Sequence, residues 1–124
     1  MLFRSCMRRD ELRLRDILES ADFILSVMTP LTEEEFLQNP ILQSAVLQKL
    51  IVIGEAAGRL TVELRERWPA VPWSDMRRLR DIAVHAYHTV DWAIISSTSA
   101  TDIPRVRNQI AAILAAEFPP PDAA

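Results

Sequence analysis

The sequence predicts an all-α protein: a bundle of four main helices plus one short helix. Three observations carry this. Apolar residues recur at steps of three and four along most of the chain, no segment alternates β-branched and polar residues at period two, and the prolines fall mainly where helical patterns stop or start. At 124 residues the chain has the length of one domain, enough to bury about two-thirds of its unfolded surface without cross-links.

The elements follow in order. Residues 1–7 are read as an N-terminal extension, with Met7 an alternative start, and 8–118 as a single helical domain. From about 8 to 28, Leu14, Ile17, Leu18, Ala21, Ile24, Leu25 and Met28 form one apolar stripe. Thr32 with Glu35 makes a capping box for a short helix, TEEEFLQ. Asn39-Pro40 reads as an N-cap followed by proline at the first helical position. A long helix is then expected over about 41–67. Its section LQKLIVIGEAAGRL is apolar on more than one face, which places it in the middle of a bundle or at a subunit interface.

Gly54 and Gly58 lie four apart in that helix, each at a cost of about 1 kcal/mol relative to alanine. Close approach of another helix would offset that cost. Glu55 and Arg59 are spaced for a surface pair along the same helix. After WPAVPW a further helix begins near Ser74, and Asp91 caps a last one from Trp92 to Phe118, which Pro104 kinks or divides. Trp73 and Trp92 are expected as core or interface anchors. The segment 119–124, PPPDAA, is read as a disordered tail.

Composition narrows the function. Hydrophobic residues make up 49% and charged residues 25%, the mix of a soluble globular protein. The uninterrupted apolar runs are too short to span a bilayer, and MLFRSCMRR lacks the apolar centre of a secretory signal, so a cytoplasmic location is expected. The single cysteine, Cys6, can form neither an internal disulfide nor a metal cluster. A net charge of −3 argues against indiscriminate coating of nucleic acid but permits a local basic patch.

One segment stands apart. RDIAVHAYH, residues 80–88, holds both histidines and the only tyrosine of the chain. On a regular helix Arg80 and His85 are about 140° apart, so they do not share a face. Asp81 and His85, spaced i and i+4, can interact, and the carboxylate would stabilise the protonated imidazole. The Arg80/His85 spacing becomes productive if the helix frays near His85, or if a second copy faces it across a two-fold axis. With no serine or cysteine nucleophile nearby, a proton-transferring histidine and a bidentate arginine suit metal-free attack of an RNA 2′-hydroxyl on the adjacent phosphorus. Arg77 and Arg78 would hold flanking phosphates. By spacing alone the competing structural reading is the stronger: a histidine near a helix C-terminus and arginines facing water.

RDIAVHAYHTVD resembles the Arg-x4-His-x-Tyr motif of the HepT-like toxins of the HEPN superfamily, encoded beside a minimal nucleotidyltransferase (MNT) antitoxin. RLRDILES at 13–20, VIGEAAGRL at 52–60 and ELRERWPAVPW at 63–73 are similar to the same family, so the likeness runs from about 8 to 117. The resemblance implies a HEPN-type bundle that dimerises, with a ribonuclease site in the cleft between protomers; the residues themselves lead to the expectation of no cofactor and no metal. It implies Arg80 and His85 as catalytic residues, Asp81 as their polar companion, and Tyr87 as the tyrosine the antitoxin silences by AMP transfer. Asp81 departs from the asparagine more usual there, and His88 stands at a position often aromatic, where it reads as a packed substitute rather than a second proton carrier. The alternative function is a non-catalytic helical module serving as regulatory or substrate-binding partner of a nucleotidyltransferase.

Overall fold

The computed structural model of the protein describes residues 2–85 and 91–121, with side chains over 5–81 and 91–121. Six helices follow one another: α1 (Leu2–Met28), α2 (Glu33–Leu37), α3 (Pro40–Gly58), α4 (Val62–Arg67), α5 (Trp73–His85) and α6 (Trp92–Glu117). Among the described residues there is no strand. The all-α bundle expected from the sequence is the one observed, with four long helices and two short ones.

The stripe on α1 faces the core as expected. Leu14, Ile17, Ala21 and Ile24 are fully buried, and they meet Val46, Leu50 and Ile53 of α3 and Ile103, Ile110 and Ile113 of α6 in one hydrophobic cluster. The main seams run α5 on α3, α3 on α1, and α1 on α6. α3 therefore lies between two neighbours, which explains why its apolar residues exceed one stripe. It has the length and composition to cross a membrane, although no single apolar run in it does; here it packs as a core helix between α1 and α5. Helix α1 also continues upstream of the expected start at about 8, to Leu2.

The caps read from sequence form as expected. The Thr32 hydroxyl accepts from Glu35 N at 3.1 Å while the Glu35 carboxylate accepts from Thr32 N at 3.0 Å. Asn39 Oδ1 accepts from Leu42 N at 3.1 Å with Pro40 in the first turn, and Asp91 Oδ1 accepts from Ala93 N at 3.0 Å. Gln43, buried on α3, donates to the carbonyls of Phe36 and Leu37 and closes the end of α2. Pro104 neither ends nor divides α6, which is helical on both sides of it. Trp73 is buried and donates from Nε1 to the Trp68 carbonyl at 2.9 Å. Trp92 packs edge-on against Phe36 with ring centroids 6.2 Å apart. Both tryptophans are thus core anchors.

The expected bounds of the long central helix need correction. The helix foreseen over 41–67 is two helices: α3 ends at Gly58, and α4 starts again behind Thr61. Thr61 caps α4 by accepting from Leu64 N at 3.3 Å. Asp10, buried on α1, holds that turn by accepting from Thr61 N at 3.0 Å and from Thr61 Oγ1 at 2.6 Å. The partner that breaks the helix is therefore 51 residues away in sequence. At its far end α4 is tied to α6, where Arg67 grips Glu117 in bidentate fashion at 2.6 and 3.1 Å and the Trp68 indole donates to the same carboxylate.

Candidate active site

α3 and α5 approach so closely because Gly54 has no side chain. A Cβ there would stand 2.6 Å from the backbone nitrogen of Arg80 and 3.0 Å from the Met76 carbonyl oxygen, closer than such atoms pack. Met76, with Trp73 and Leu79, supplies the apolar side of α5. Arg80 thus leaves α5 at the seam against Gly54, whose chain neighbour on α3 is Glu55. Gly58, one turn later, has a different contact: its Cβ position lies 3.7 and 3.8 Å from Arg77 Nε and Cγ, so the Arg77 side chain lies across the end of α3. The close approach read from the two glycines holds in full at Gly54, and at Gly58 it is ordinary contact with a side chain.

Along this seam opens a groove of about 430 Å³. Its α5 wall carries Arg77, Arg78, Arg80 and Asp81, and its other wall carries Glu55 of α3 and Arg59, which caps the end of that helix. Four guanidiniums face two carboxylates there, in a chain whose net charge is −3. The global charge therefore conceals a local basic site suited to phosphate oxygens.

The pairing inside the groove differs from the sequence expectation. Glu55 does not lie against Arg59, four residues on; it faces Arg80 across the seam, with Oε1 3.3 Å from Nε. The Arg80 side chain stays 55% exposed and that of Glu55 46%. Arg78 has only a long contact to Asp75, at 3.8 Å, with both side chains open to water. Glu55 and Arg59 were not among the sequence-derived site residues. The compact string GEAAG marked a close helix contact, but spacing within α3 could not say which residue of α5 it would meet.

Four of the expected site residues, Arg77, Arg78, Arg80 and Asp81, are brought together in this groove. α5 remains helical through His85. The angle of about 140° between Arg80 and His85 therefore stands, and fraying ahead of His85 is not what unites them. The His85 side chain, and Tyr87 and His88 altogether, lie outside the described residues.

Comparison with known proteins now bears on the chain. The family model described as "Ribonuclease HepT-like" matches residues 17–113. Among curated proteins, "Putative RNase MJ1380" of Methanocaldococcus jannaschii is 33% identical over 97 residues, which cover 78% of this chain and 89% of that protein. "Putative RNase TTE0752" of Caldanaerobacter subterraneus subsp. tengcongensis is 34% identical over 84% of this chain and 93% of its own length. "Probable ribonuclease HepT" of Thermococcus cleftensis is 33% identical over 77% of this chain and 87% of its own. No solved structure gives a significant match. With a helical bundle in place and the matched region spanning most of it, the chain belongs to the ribonuclease HepT-like family of the HEPN superfamily.

Proposed function

We propose that this protein is a metal-independent endoribonuclease, the toxin of a HEPN–MNT toxin–antitoxin pair, working as a cytoplasmic homodimer. The observation that carries the reading is the position of Arg80. It is pinned at the α3–α5 seam and half-exposed in a groove with Arg59, Arg77 and Arg78, on a helix that continues unbroken to His85.

In this mechanism His85 takes the proton of an RNA 2′-hydroxyl, whose oxygen bonds to the adjacent phosphorus as the bond from phosphorus to the 5′-oxygen breaks. The imidazolium so formed gives a proton to the leaving 5′-oxygen, which restores neutral His85, and the products end in a 2′,3′-cyclic phosphate and a 5′-hydroxyl. Arg80 steadies the extra negative charge on the phosphorane. Asp81, one helical turn before His85, stabilises the imidazolium. Arg77 and Arg78 hold flanking phosphates and so fix position without reading sequence. Because five residues of regular helix set positions 80 and 85 about 140° apart, the pair that acts together is completed by a second copy across a two-fold axis.

Silencing belongs to the same reading. An AMP group placed on the Tyr87 hydroxyl by a minimal nucleotidyltransferase antitoxin adds a phosphate charge and a bulky nucleoside two residues from His85. Such a group obstructs a groove meant for RNA phosphate.

The test is RNA incubated with purified, unmodified protein in the presence of EDTA. Fragments with cyclic phosphate ends are expected. RNA left intact by the wild type, or cut equally fast by a His85→Ala variant, contradicts the proposal. Intact mass after co-expression with the nucleotidyltransferase should rise by whole adenylate increments on the peptide bearing Tyr87, and no increment there contradicts the silencing step.

A further inference from the structure

We propose that Glu55 is a positioning residue for Arg80, and that its carboxylate competes with RNA phosphate for the same guanidinium. The inference rests on the reading of the α3–α5 groove as the site of cleavage.

The geometry is specific. Gly54 and Arg80 meet backbone to backbone, so the origins of the Glu55 and Arg80 side chains are fixed relative to each other. Glu55 Oε1 then reaches Arg80 Nε at 3.3 Å. A free arginine carries about 2 kcal/mol of rotamer entropy, and a carboxylate beside its Nε edge favours one orientation of the fork. The guanidinium has five N–H donors, and with 55% of the side chain exposed it keeps room for a phosphate.

Stability does not account for the pair. Ion pairs this open to water are worth about 0–1 kcal/mol, and α3 and α5 already pack closely along their length without it. What the pair does alter is the groove's charge. Among the described residues Glu55 is one of two carboxylates there, against four arginines. It repels RNA and occupies part of the very cation that RNA requires. An anion in that place weakens binding and improves aim.

Those two effects have opposite signs, which separates them from a structural role. In Glu55→Gln the shape is kept and the charge removed. Half-saturating RNA should fall about three- to tenfold, and the salt dependence of binding should steepen by about 0.7 as one more arginine becomes available to phosphate. Turnover at saturation should fall about tenfold as Arg80 loses its orientation. Binding is read with a 2′-O-methyl oligoribonucleotide, which lacks the attacking hydroxyl, and cleavage with its unmodified counterpart. The melting temperature should stay within about 2 °C of wild type.

Wild-type turnover and affinity in Glu55→Gln, beside an inactive Arg80→Ala, would overturn the inference and leave the cleavage site standing. Weaker binding together with a lower melting temperature would make Glu55 a brace and overturn it too. Cleavage by Arg80→Ala at the wild-type rate would instead remove the site itself.

Discussion

The Cβ that Gly54 lacks would stand 2.6 Å from the backbone nitrogen of Arg80. The obstacle is backbone, which cannot swing aside as a flexible side chain can. Gly54→Ala should therefore push α5 off α3. Alanine gains about 1 kcal/mol in helix propensity, and overpacking costs about 1–3 kcal/mol. Urea titration should show a net loss of up to about 2 kcal/mol. RNA cleavage should fall further than stability does, because the displaced residue is Arg80 itself. A variant as stable and active as wild type would show that the seam yields freely.

Gly58 gives the opposite expectation. Its Cβ position meets only Arg77 atoms at 3.7 and 3.8 Å, which is ordinary contact, and no described glycine has positive φ. Gly58→Ala should raise stability by about 0.5 kcal/mol. Thermal unfolding checks it, and a loss of stability would contradict it.

Asp10 is the anchor of the turn between α3 and α4. It is buried and accepts from both the amide and the hydroxyl of Thr61. Asp10→Ala leaves those donors without their acceptor and should cost about 2–3 kcal/mol. The amides at the start of α4 should exchange hydrogen faster, while those in the middle of α3 stay protected. Unchanged exchange at 61–64 would show that the turn does not depend on α1.

Glu117 makes stability depend on pH. Hydrogen bonds from Arg67, helped by the Trp68 indole, hold its carboxyl below the usual carboxylate range against the opposing pull of partial burial. The Arg67 guanidinium is raised in turn, chiefly by the same hydrogen bonds. A carboxyl lowered on folding stabilises the fold above its unfolded pKa, about 4.5, and loses that contribution as pH falls through the folded value. Glu117→Gln should therefore be about 1 kcal/mol less stable than wild type at pH 7. The gap should close as pH drops below about 4. A gap that is constant or widens in acid would contradict it.

How much of this was legible in the sequence follows from the range of each interaction. Caps are local. Thr32 with Glu35, Asn39 with Pro40, and Asp91 all sit within three residues of the amides they serve, and all form as read. Stripe periodicity is local too, and it placed Leu14, Ile17 and Ile24 of α1 in the core. The division of α3 from α4 was not legible, because the residue that holds the turn is Asp10, 51 positions from Thr61. The partner of Glu55 was missed for the same reason. Spacing along α3 offers Arg59, whereas the fold offers Arg80 on another helix. In the groove, Arg77, Arg78, Arg80 and Asp81 were readable from one contiguous segment, and the α3 wall that completes it was not.

The composite nature of the site is tested most directly by mixing two inactive proteins. Arg80→Ala keeps its histidine and His85→Ala keeps its arginine. If guanidinium and imidazole come from different copies, a mixed dimer holds one intact site and one doubly damaged site. Equimolar exchange should then restore about a quarter of the wild-type cleavage rate. A mixture that exchanges subunits, shown by native mass spectrometry, yet cuts no faster than its inactive components would contradict a site shared between protomers.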